Sequence, residues 1–113
     1  MEINANAEKF IEWINEKKGE DIKLIDVRNK SNFTDFFVVC SGNGDIHTKA
    51  IANHVIDMAR EERIQLLGKE GVDNGKWILL DFADVVVHIF DTPNRELYKI
   101  EDLWLKMPER ANE

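Results

Sequence analysis

A single cysteine, Cys40, occurs among the 113 residues, so the chain forms no internal disulfide and offers no cysteine-based metal cluster. That usage fits a reducing compartment, and the cytoplasm is the expected location. No run approaches the roughly 20 apolar residues a spanning helix needs. The opening residues Met1, Glu2, Ile3 and Asn4 show no basic segment leading into an apolar stretch. A protein that is neither exported nor embedded in a membrane is expected. Positive charge is in short supply too: 15 Lys and Arg stand against 22 Asp and Glu, a net charge of −7. Free nucleic acid calls for a basic face that displaces counterions from phosphates, so free DNA is not an expected partner. An acidic surface suits a basic protein partner, although acidic proteins are common and charge alone does not choose between the two readings.

What the chain does have is apolar material: 43% of residues are hydrophobic, including three Trp and six Phe, enough to offset chain entropy in one core. A single domain over residues 1–113 is expected, with a frayed tail from about 108. From about Asn4 to Lys18, Phe10, Ile11, Trp13 and Ile14 fall near helical spacing and Gly19 stands as a C′ residue. Ile22 to Val27 reads as a strand. Phe36 to Cys40 is apolar at consecutive positions, which a strand tolerates when both its faces are covered, so it belongs in the centre of a sheet. Asp45 stands as an N-cap before a second helix carrying Ala50, Ile51, Val55, Met58 and Ala59 and running to about Arg63. Leu66 and Leu67 begin a short edge segment, and Gly68 to Lys76 holds three glycines. Trp77–Leu80 and Val85–Phe90 form a hairpin through residues 81–84. Thr92-Pro93 opens a last helix with Leu97, Ile100, Leu103 and Trp104 on one face. The expected class is α/β, a mixed sheet of about five strands flanked by helices.

Few residues look chemical. Ser41-Gly42-Asn43-Gly44 lies between a strand and a helix, where phosphate loops occur, but lacks the full spacing of either phosphate-binding pattern and reads as a plain turn. Asp81 and Asp84, three apart, cannot share one face of a strand, so turn and cap roles are expected. His47 and His54 are seven apart on a helix, whereas helical metal ligands usually sit at i and i+4. His88, between Val87 and Ile89, reads as a hydrogen-bonded histidine held by the sheet. No nucleophile with a base beside it is recognisable; neither catalysis, metal nor cofactor is expected. Trp77, directly after the loop Glu70 to Lys76, is open to two roles, a plug at the core edge or a half-exposed binding anchor flanked by Glu70, Asp73 and Asp81.

Taken in order, Asp26-Val27, Ser31, Thr34 to Val39, Ser41-Gly42, Ala50 to Ala52, Leu67-Gly68, Glu70-Gly71, Trp77 to Phe82, Asp84 to Phe90, Arg95, Tyr98, Glu101 and Leu103-Trp104 resemble the ribosomal silencing factors, also called Iojap-like proteins. The resemblance runs from about residue 20 to 105. It implies a fold related to nucleotidyltransferases without their active-site carboxylates, usually a homodimer. It also implies binding to the large ribosomal subunit, through the protein fourteenth in the universal naming, on the face that meets the small subunit; joining is then blocked and translation repressed. Trp77, Glu70, Gly71, Asp73, Asp81 and Tyr98 are the expected partner-binding residues. Asn43-Gly44 stands where the family more often has Thr-Ser, and Ala83 where it often has Gly. The alternative is a metal-dependent nucleotidyltransferase-like enzyme, which would need a same-face carboxylate pair beside the Ser41-Gly42 loop.

Overall fold

The all-apolar run beginning at Phe36 becomes β2 (Phe36–Gly42), and every residue of it is buried. Burial on both faces requires layers on both sides and strands on both edges, and the chain supplies them. The computed structural model describes residues 5–31, 33–100 and 102. Around β2 it folds α1 (Ala5–Glu16), β1 (Glu20–Asp26), α2 (Asp45–Glu61), β3 (Gly68–Glu70), β4 (Trp77–Asp81), β5 (Val85–Asp91) and α3 (Thr92–Tyr98). The sheet order is β1-β2-β5-β4-β3. β2 runs parallel to β5, with Phe36 opposite Val85 and Gly42 opposite Asp91, while the other neighbours are antiparallel. Two tightly hydrogen-bonded strands thus fill the centre, and the exposed three-residue β3 forms one edge.

Alternation along the strands sorts side chains onto two faces. On the first, Phe36, Val38, Cys40, Ile78, Leu80, Val85, Val87 and Ile89 meet Phe10 and Ile14 of α1 and Ile51, Val55 and Ala59 of α2. Phe10 stacks on Phe82 of the β4–β5 turn at 4.5 Å between centroids. Ala50, expected on this face of α2, is exposed instead. On the second face Phe37, Val39 and Phe90 pack with Ile25, Val27 and Ile100.

Two helix ends differ from the sequence expectation. α1 closes in a Schellman turn with Lys18 in the left-handed region, φ 60°, and with Gly19 N–H bonded back to Ile14 O at 2.9 Å. Gly19 is therefore C″ and not C′. Glycine is required there by space, since a Cβ would overlap the Ile14 side chain. At α2 the N-cap is Gly44, which has no side chain to cap with; Asp45 is the first helical residue. His47 in the first turn reaches back instead, its Nδ1 accepting the N–H of Asn43, just before the cap, at 2.9 Å. The last helix begins as expected, with Asp91 capping Asn94 N–H at 3.0 Å and Pro93 in its first turn. It is short, and Leu97 faces solvent while Ile100 is buried. Leu103, Trp104 and the tail from Pro108 lie outside the described residues.

Candidate functional site

The register lays out the second face in rows. Glu70 lies opposite Leu79, Leu79 opposite His88, and His88 opposite Val39. One row toward the end where β4 begins, Trp77 faces Phe90 and Phe90 faces Ser41. Trp77, Leu79 and Val86 remain partly exposed there. This face is therefore aromatic and leaves apolar area accessible to solvent.

Trp77 plugs the edge of the core and is left partly exposed. Its ring stacks on Phe90 at 4.9 Å and meets Tyr98 of α3 at 4.8 Å, and its Nε1–H donates to His88 Nδ1 at 3.1 Å. Tyr98 itself is half exposed. The helix that carries Tyr98 is held by Arg95, 4% exposed, whose Nη1 donates to Ser41 Oγ at 2.9 Å and whose Nη2 lies 3.5 Å from Asp21 Oδ2. Since Nδ1 of His88 accepts, Nε2 carries the ring proton, and this buried N–H has no acceptor among the described residues. A buried donor left unpaired costs about 1–3 kcal/mol. Burial also holds the His88 pKa down to about 4, so the ring is uncharged near neutral pH.

The six expected partner-binding residues are not equally placed. Trp77 and Tyr98 touch, and Glu70 lies on the same face one strand away. Gly71 acts through backbone geometry: its φ is 78° and a Cβ would overlap the Trp77 carbonyl oxygen, so glycine lets the loop pass directly over the start of β4. Asp73 is exposed in that loop. Asp81 is at the opposite end of β4 from Trp77, where its Oδ1 accepts the Ala83 N–H at 2.9 Å. It shapes the hairpin in which Ala83 takes φ 75°. Leu79, Val86, His88 and Phe90 line the same face, and of these the sequence marked only His88, as a histidine hydrogen-bonded within the sheet. Counting by twos from Trp77 reaches Leu79. That the others lie there became visible only with the β4–β5 register, because β5 is apolar on both faces and shows no alternation.

The remaining candidates fall apart chemically. His47 bridges two elements, accepting from Asn43 at Nδ1 and donating Nε2–H to Lys17 O at 2.8 Å, and His54 pairs with Glu16 at 2.7 Å. Both sit on α2 over the first face, so the sheet separates them from His88. Cys40 is buried in the core, its thiol pushed up to about 12 by desolvation. Among the described residues no group of three His, Cys, Asp or Glu is placed to hold a metal. No described helix is long and apolar enough to cross a membrane.

The whole chain, residues 1–113, matches the family described as "Ribosomal silencing factor during starvation". A ribosomal silencing factor of Bacillus subtilis is 41% identical over 93 residues, 82% of this chain and 79% of that protein. The crystal structure of a Chromobacterium violaceum protein, 33% identical, superposes with a TM-score of 0.89 over 100% of this chain and 95% of that one. A mouse protein named for mitochondrial assembly of the ribosomal large subunit is 27% identical over 102 residues, 88% of this chain but 45% of its own length.

Proposed function

The chain belongs to the ribosomal silencing factor family, and from that premise we propose that it docks on the large ribosomal subunit, keeps the small subunit from joining and so represses translation. It acts by occupying a surface and performs no catalysis of its own. Trp77 carries this reading: a large aromatic, partly exposed, backed by Phe90 and Tyr98 and fixed at its polar edge, has the form of an interface anchor. Glu70 lies on the same face opposite Leu79 and Asp73 is exposed in the loop before Trp77, on a chain of net charge −7, which favours a basic ribosomal protein at the intersubunit face. The mouse relative's name supports the large subunit as the partner. Free in the cytoplasm, the chain pairs as a two-fold dimer, as the family resemblance implies.

Sedimentation with separated subunits tests the reading. The protein is expected to travel with large subunits and not small ones, and in excess to lower the yield of joined ribosomes. Trp77→Ala should weaken binding by about 2–4 kcal/mol while the fold persists. Equal binding to both subunits, or undisturbed joining at saturating protein, would overturn it.

A further inference from the structure

We propose that His88 is the positioning residue of the docking surface: by accepting the indole N–H at Nδ1, it fixes the orientation within its plane in which Trp77 meets its partner. This rests on the Trp77 face being the one that docks, and adds to it a residue that never touches the partner.

Trp77 meets Phe90 in a stack and Tyr98 at a tilt, both ring against ring. Such contacts keep the indole on the face but tolerate sliding and rotation within its plane. The 3.1 Å bond to His88 is directional and removes that freedom. His88 is a firm post. It is 5% exposed, sits on a central strand between Leu79 and Val39, and has Phe37 edge-on at 4.6 Å.

Stability alone does not account for a histidine here. Its Nε2–H is buried without an acceptor among the described residues, whereas phenylalanine would fill the same apolar slot without that orphan donor and give up only the acceptor of the Trp77 indole N–H. Histidine at this position has one advantage over phenylalanine, an acceptor at Nδ1, and the group using it is Trp77. An anchor already held in its bound orientation has little rotational freedom to lose on docking, which raises affinity without a new contact.

The test compares His88→Phe, which keeps bulk and removes the acceptor, with His88→Asn, whose Oδ1 falls near the Nδ1 position. Trp77→Ala assigns the indole signal. Affinity for purified large subunits and solvent exchange of the Trp77 indole N–H by NMR are both read. His88→Phe is expected to bind about three- to tenfold more weakly, the size of one hydrogen bond's net contribution. Its indole exchange should be faster and its melting temperature unchanged or higher, and His88→Asn should recover part of the affinity and of the protection. Wild-type affinity in His88→Phe beside a loss in Trp77→Ala overturns the role of His88 and leaves the docking face standing. Wild-type affinity in Trp77→Ala overturns the face and this inference with it. An indole N–H that exchanges in the unaltered protein as fast as in free tryptophan overturns the inference without any His88 variant having to fold.

Discussion

At the scale of single residues, His88 links fold stability to pH although solvent barely reaches it. Its pKa lies near 4 in the fold and near 6.5 when exposed, because burial penalises the charged ring. Between those values the unfolded chain binds a proton that the folded chain refuses. Stability is therefore full above about pH 6.5 and falls as the pH drops toward 4, by about 3 kcal/mol at most. Urea midpoints for the wild type and His88→Phe across that window are expected to diverge, with the wild type showing the steeper fall; parallel curves would count against a buried neutral histidine. Asp26 does not confuse the comparison. Its hydrogen bond from Arg28 holds the carboxyl below its usual 3.8, so its contribution is lost only at still lower pH.

Whole elements are joined by side chains that look unremarkable in the sequence. His47 ties the C-terminus of α1 to the start of α2 through Lys17 O and Asn43 N–H. Its truncation to Ala leaves both backbone groups to water, and a loss of about 1–2 kcal/mol is expected in chemical denaturation. His47→Asn, keeping an acceptor for Asn43 alone, should lose less. The loop's Gly44 signals a weak cap, but nothing in the spacing shows that a histidine three residues on turns back to the loop at Asn43. Strand and helix positions were far more legible. The apolar run at Phe36 announced a central strand, and the Trp77 and Val85 segments announced a hairpin, because burial on one or both faces dictates composition directly. Partnerships across elements, such as Arg95 with Ser41 or Trp77 with His88, were not legible, since they depend on the register of distant strands. The surroundings of Trp77 were half legible: its position beside the glycine loop marked it as an edge residue, while its cover by Tyr98 arriving from α3 was not foreseeable.

For the molecule as a whole, charge and shape act together. With a net charge of −7 and Glu70 exposed at the β3 edge beside Leu79, approach to a basic surface is favoured and is screened over roughly 10 Å at 0.1 M salt. Glu70→Lys should weaken large-subunit binding less than Trp77→Ala does, and the deficit should widen as salt is lowered; a deficit independent of salt would assign Glu70 a contact role and not a steering one. The parallel pairing of β2 with β5 has a consequence in time. Phe36 must wait for Val85, so a chain emerging during its own synthesis holds β1, β2 and α2 before the strand that completes the centre exists. Until residues 85–91 arrive, one edge of the most apolar strand has open N–H and C=O groups, a template for any other extended chain nearby. The β4–β5 hairpin, short and local, closes that edge in one event, so the vulnerable interval of this fold ends abruptly with the synthesis of β5.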